Sequence, residues 1–284
     1  MASPPPVKPA ASIIVCAPVI GNPNEYKVLF LQRNNRGPFG GLMVFPGGGL
    51  DKADQDPIWG KILGKPATRE LAFQVAAIRE AFEECGLHVF KPDLKVSPEE
   101  IAKWRDQVHD DGKKFIEMAQ KTGSIPDLSR LALFSNWITP TMETKRFDTF
   151  FFITVLPKPV APQSKRMSAD GGETLSLTWY TPSECIAAFR KGEIKLFPPQ
   201  FITMAEMAKL SLDDLKKILS GATKRVVTPW QPELGPGGLV LPGDEFHSTT
   251  KNTVKAGSKN RVLLTRSPNG AGIADIEWIR ETKL

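Results

Sequence analysis

A chain of 284 residues holds one large domain or two small ones, and 41% hydrophobic with 24% charged residues is the balance of a globule with a sizeable core. The net charge of +6 suits a polyanionic small substrate and permits contact with nucleic acid. Cys16, Cys85 and Cys185 are odd in number and far apart, which points to a reducing compartment rather than a disulfide framework; with three histidines they leave no second pair to finish a zinc site.

Residues 1–9 are proline-rich and lack a signal-peptide core, so they read as a disordered lead before a single domain over 10–284. Ser12 to Ala17 and Tyr26 to Arg33 are strand-like runs joined by the turn cluster Gly21-Asn22-Pro23-Asn24. Arg33 and Arg36 follow, where a guanidinium suits phosphate oxygens. A second β-type stretch, Leu42 to Phe45, runs into Pro46 and then Gly47, Gly48 and Gly49, where the backbone turns sharply and comes close to a phosphate. Residues 51–69 are turn-rich and predict a surface excursion pinned by Ile58 and Trp59.

From Thr68 to Cys85 the apolar residues Leu71, Val75, Ile78, Phe82 and Cys85 recur at helical spacing, and Gly86 is the stop. Glu80, Glu83 and Glu84 fall together on the side opposite that stripe. Carboxylates so placed repel one another by a few tenths of a kcal/mol per i,i+4 pair. A divalent cation reverses the sign, because hard oxygen ligands suit Mg²⁺ beside substrate phosphates. Ala76 and Ala77 on this face leave room for a close approach.

Ser97 with Glu100 forms a capping-box pattern, with Pro98 at the first helical position, and opens an amphipathic helix or pair over 97–122. Leu131 to Ile138, Phe147 to Leu156 and Thr174 to Tyr180 read as strands, the second apolar enough to be covered on both faces. Pro182 to Lys191, Pro198 to Lys209 and Ser211 to Leu219 read as helices, with Phe197 and Phe201 placed for an apolar rim. Residues 224–281 carry short strand-like pieces, including Val226-Val227, expected to attach to the main sheet. No apolar run approaches the roughly 18 residues of a membrane span. Neither a Gly-Lys-Ser/Thr phosphate loop nor a Gly-x-Ser-x-Gly elbow is present.

The glycine bend and the run Arg79-Glu80-Ala81-Phe82-Glu83-Glu84-Cys85-Gly86-Leu87 together resemble the Nudix hydrolases. Their signature is Gly, five residues, Glu, seven residues, Arg-Glu, an apolar residue, any residue, Glu-Glu, any residue, Gly and an apolar residue. Arg79 lies thirty-one residues after Gly48 rather than fourteen, an insertion of seventeen assigned to 51–69. Counted back from Arg79, the early Glu falls on Leu71, with Glu70 one place away. An interrupted box resembles the peroxisomal coenzyme A diphosphatases in particular. So do Val44-Phe45-Pro46-Gly47-Gly48, Trp137-Ile138-Thr139-Pro140, Arg146-Phe147-Asp148-Thr149 and Pro198-Pro199-Gln200-Phe201.

The resemblance implies an α+β or α/β chain: a Nudix-type α/β/α sandwich with a mixed sheet, added helices over 97–122 and a β-rich C-terminal extension over 224–281. It implies Mg²⁺ or Mn²⁺ held by Glu80, Glu83 and Glu84, with Arg79 and Gly86 structural. The catalytic candidates are Glu83, Glu84 and Glu173, the last a second acid on a glycine-flanked loop, and the general base stays open among them. Arg33, Arg36, Gly47 and Gly48 are the substrate-binding candidates. The implied reaction cleaves coenzyme A or acyl-coenzyme A to adenosine 3′,5′-bisphosphate and (acyl-)phosphopantetheine. The alternatives are another nucleoside diphosphate derivative, such as a dinucleotide or ADP-ribose, and a non-catalytic Nudix module binding nucleic acid, against which the full set of acids stands. Thr282-Lys283-Leu284 differs by one residue from the Ser-Lys-Leu address, so an import receptor and a peroxisomal location are expected, with the cytoplasm as the other location.

Overall fold

Side-chain alternation along β1 (Val7–Val19) sets the layers. Ile13 and Val15 point to one side and Ile14 and Cys16 to the other, all 0% exposed, so this strand is covered on both faces. The computed structural model describes residues 4–34, 40–159, 174–267 and 272–281. β2 (Asn22–Arg33) returns antiparallel to β1, with Leu29 and Leu31 on the first side and Val28 and Phe30 on the second. β3 (Met43–Val44) adds to β2, and β4 (Gly47–Gly49) adds to β1. α1 (Ile58–Leu63) and the long α2 (Arg69–Cys85) come next. β5 (Phe90–Lys91), α3 (Pro98–Asp110), α4 (Lys113–Thr122) and β6 (Ile125–Pro126) follow, β6 pairing with β5.

β7 (Ala132–Ile138) and β8 (Arg146–Val155) are antiparallel, β8 runs parallel to β1, and β9 (Thr174–Tyr180) pairs with β2. α5 (Pro182–Arg190), α6 (Pro198–Met207) and α7 (Leu212–Leu219) lead to β10 (Pro229–Trp230), which joins β7 and completes an eight-stranded mixed sheet. β11 (Glu233–Gly235), β12 (Gly238–Val240), β13 (Lys259–Arg266) and β14 (Ile273–Glu281) make a separate four-stranded antiparallel sheet.

The large sheet lies between two helical layers. α2, backed by α3 and α4, covers one face, and α5, α6 and α7 cover the other, giving the expected α/β/α sandwich. Thr68 accepts the Leu71 amide at the start of α2, and Gly86, with φ 67°, returns its amide to the last turn. The helix is buried nearly all round, Ala76, Ala77, Arg79 and Glu83 included, so its acidic side is a packed wall.

Two expectations are corrected by this architecture. Within the 1–9 lead, Val7, Lys8 and Pro9 are strand, paired with Arg146, Phe147 and Asp148, and the Arg146 guanidinium donates to the Pro5 carbonyl at 3.0 Å. Composition there favours disorder, but a neighbouring strand edge supplies backbone partners that composition does not reveal. The tail joins the main sheet only at β10; β11 to β14 pair with one another, and Val226, 80% exposed, is in no strand. Pairing within the β13–β14 hairpin and with β12 is available locally without the large sheet, and apolar side chains including Val262 and Ile276 seat the hairpin on the core. Residues 51–69 are, as expected, a largely exposed excursion pinned to the body at Ile58 and Trp59. Trp59 is buried, its indole donates to the Ala53 carbonyl at 2.9 Å, and its ring packs 5.5 Å from Phe115 of α4.

Candidate active site

The acids of α2 are arranged around one guanidinium. Arg79 Nε and Nη2 each donate at 2.8 Å to the two oxygens of Asp54, a forked pair with side chains only 6% and 1% exposed. The same guanidinium reaches Glu83 Oε1 at 2.7 Å, Glu80 Oε1 at 2.9 Å and the Gly49 carbonyl at 3.2 Å. Burial alone would lower the Arg79 pKa, but the bonds to Asp54 and the charges of Glu80, Asp54 and Glu83 outweigh it and raise the pKa. Asp54 is held in turn by the Asp51 amide at 2.8 Å.

Glu84 accepts the Gly47 amide at 2.7 Å. Gly47, with φ 154°, lies against β1, where an added Cβ would stand 2.6 Å from Ser12 Cα. A Cβ on Gly48 would sit 2.7 Å from both Glu80 carboxylate oxygens. The glycine bend therefore wraps the acids, and its missing side chains keep the space beside Glu80 open. Arg105 of α3 donates to the Glu83 carbonyl at 3.2 and 2.8 Å, pinning the last turn of α2, and His109 Nδ1 stands 3.8 Å from Glu83 Oε2.

Burial raises the Glu83 pKa to about 7; Arg79 opposes the rise and Glu80 adds to it. Of the four carboxylates gathered here, Arg79 binds Asp54, Glu80 and Glu83, and Glu84 takes the Gly47 amide. Among the described residues no three His, Cys, Asp or Glu side chains stand converged as a metal cage. The acids are spread over Arg79 and the Gly47 amide instead. The donor set still fits a hard divalent cation: all carboxylate oxygens, an excess of negative charge, and space kept clear by Gly48.

These groups form one wall of a cavity of about 780 Å³. Arg33, Gly47, Gly48, Glu80, Glu83 and Glu84 all line it, as do Trp137, Thr139, Phe147, Pro198 and Gln200 from the stretches that resemble the coenzyme A subgroup. Phe197 lines the rim, whereas Phe201 is buried in the core. Arg36 and Glu173 lie outside the described residues. Glu70 is exposed and Leu71 is buried in the core, so neither supplies the early acid of the signature. Asp54 does. It stands six residues after Gly48, the signature's own spacing, so the interruption begins after Asp54 and not at 51. Arg105 and His109 had no local sequence signal, since both sit on the solvent-patterned side of a helix.

An α/β/α sandwich with a glutamate-bearing helix facing a glycine bend defines a Nudix fold. A family model, the NUDT19 Nudix domain, matches residues 60–207, more than half of the chain. The chain is 31% identical to the human acyl-coenzyme A diphosphatase NUDT19, covering 78% of this chain and 72% of that protein. The chicken protein of the same name is 29% identical, over 84% of this chain and 79% of the relative. In structure, the chain matches a Nudix hydrolase from Alicyclobacillus acidocaldarius with a TM-score of 0.62 at 20% identity, over 73% of this chain and 94% of that one. The chain belongs to the NUDT19 Nudix domain family. It is a Nudix hydrolase, acting on phosphoanhydride bonds, and enzymes of this class generally require a divalent metal ion.

Proposed function

We infer that the protein cleaves the diphosphate of coenzyme A or acyl-coenzyme A to adenosine 3′,5′-bisphosphate and phosphopantetheine or its acylated form. The observation that carries this reading is Glu80, Glu83 and Glu84 meeting the Gly47–Gly49 bend on one cavity wall, in a chain whose relatives over most of its length are named acyl-coenzyme A diphosphatases. Glu80, Glu83 and Glu84 are the residues that would hold Mg²⁺ or Mn²⁺. The ion, when bound, supplies the positive charge that offsets the diphosphate and activates water.

The chain's own groups do the positioning. Arg79, locked by Asp54, fixes Glu80 and Glu83, while the Gly47 amide fixes Glu84. Without the ion, burial pushes the Glu83 pKa up to about 7. Glu84 and Glu173 are the candidates for taking the proton of the attacking water. Arg33, at the end of β2 and on the cavity wall, meets phosphate oxygens together with Arg36, and the Gly47–Gly48 backbone lets the diphosphate approach.

A peroxisomal location belongs to the same proposal, resting on the subgroup resemblance and on Thr282-Lys283-Leu284. Import of a fluorescent fusion, lost when Leu284 is changed to Ala, checks it.

The activity is tested with coenzyme A and Mg²⁺ in oxygen-labelled water. Adenosine 3′,5′-bisphosphate and phosphopantetheine are expected, with Glu84→Gln lowering turnover by orders of magnitude at unchanged circular dichroism. Hydrolysis of ADP-ribose or a dinucleotide but not of coenzyme A would move the substrate elsewhere in the class, and an undiminished rate in chelator would overturn the metal.

A further inference from the structure

We propose that the four-stranded C-terminal sheet is the acyl-binding wall of the site, with Leu239, Leu264 and Ile273 taking the hydrocarbon chain of an acyl thioester; this rests on the coenzyme A reading above. The cavity that holds Glu80, Glu83 and Glu84 is built from two chemically different parts. Its charged groups come from β2, Asp51, α2, α3 and the β7–β8 connection, including Arg33, His109 and Lys145. Beyond Gln200 its lining is supplied by Pro232, Leu239, Leu264 and Ile273, and every one of them is apolar.

Leu264 is 38% exposed, a large aliphatic side chain that lines the cavity two residues along the same face of the strand from buried Val262. Its cross-strand partner is Ile276, which is fully buried, so the exposed leucine is carried on an anchored hairpin.

The chemistry selects the occupant. A purine favours ring faces, which Trp137, Phe147 and Phe151 of the large sheet supply. A phosphate needs donors, and among the described residues the C-terminal sheet brings no side-chain donor to the cavity. An alkyl chain has no polar atom to satisfy and gains by covering aliphatic surface, by roughly threefold to fourfold in affinity per buried methylene. The family match ends at residue 207, before β11 begins at Glu233. Bond cleavage and selection of the acyl arm thus sit on different parts of the chain, joined across one cavity.

The test uses the full chain with Mg²⁺ and measures kcat/KM for free coenzyme A and for its butanoyl, octanoyl and dodecanoyl thioesters. The wild-type ratio of thioester to free coenzyme A is expected to rise with chain length. Leu264→Asp, at a site open enough to accept a charge, is expected to lower the dodecanoyl ratio at least tenfold, and Leu264→Ala by about threefold, with circular dichroism confirming both folds. A wild-type ratio independent of chain length, or ratios within twofold of wild type in both variants, would overturn the wall while leaving coenzyme A cleavage standing. No cleavage of any of the four substrates by the wild type would instead overturn the reading on which the wall rests.

Discussion

At the scale of single residues, Glu83 and Asp54 make opposite statements about buried charge. Burial lifts Glu83 from 4.5 to about 7, so between those values the folded protein binds a proton that the unfolded chain does not. The associated stability is present below the lower value and is lost as pH rises through about 7. In chelator, the melting temperature of the wild type is therefore expected to fall from pH 5 to pH 8 more steeply than that of Glu83→Gln, and added Mg²⁺ should restore the loss at pH 8. Parallel melting curves for the two proteins would refute the assignment. Asp54 shares a buried fork with Arg79, and removing one partner of such a pair typically costs about 3–5 kcal/mol. Arg79 keeps Glu80 and Glu83, so Asp54→Ala is expected at the lower end, about 3 kcal/mol by urea denaturation. Loss of the clamp on two of the acids proposed to hold the metal should also cut turnover by about tenfold to a hundredfold.

At the scale of elements, the glycine bend separates folding from catalysis within two adjacent positions. An added Cβ on Gly47 meets the backbone of Ala11 and Ser12 at a φ of 154°, and neither can move without breaking β1. The three atoms nearest an added Cβ on Gly48 all belong to the far end of the Glu80 side chain. Gly47→Ala is therefore expected to unfold the protein or lower its stability by more than about 2 kcal/mol. Gly48→Ala should melt within a few degrees of wild type yet bind Mg²⁺ at least tenfold more weakly by titration calorimetry. If the two variants behave alike, the bend does not have these two functions. The two insertions meet at this scale too, with Trp59 and Phe115 packed on each other, and Gly112 sits tight against Asp51, just ahead of the first insertion, where a Cβ would come to 2.9 Å from its carboxylate oxygen.

At the scale of the whole molecule, one hydrophobic cluster joins the large sheet, α5 to α7 and the C-terminal sheet through Leu241, Val262 and Ile276. The extension is part of the core and not an appendage. Deletion of residues 231–281 would uncover that cluster, and the truncated chain is expected to aggregate or to melt without a cooperative transition, as read by calorimetry. Full retention of the wild-type melting temperature would show the sheet to be independent. Among the described residues no helix is long and apolar enough to cross a membrane.

The local signals were decisive where the chemistry is local. Apolar spacing, Thr68 and Gly86 delimit α2 without reference to the rest of the chain, because helix periodicity and caps involve residues within a few positions of one another. The same holds for the alternation of β1 and β2, for the glycine bend, and for the glutamates that place the chain among the Nudix hydrolases. Tertiary structure alone decided where partners distant in sequence meet. Asp54 finds Arg79 across 25 residues, Arg105 finds the Glu83 carbonyl across 22, and the C-terminal sheet reaches a cavity whose acids lie on α2. Long-range pairs of this kind leave no periodicity in the chain, since their register is set by how packed layers close over one another and not by neighbouring residues.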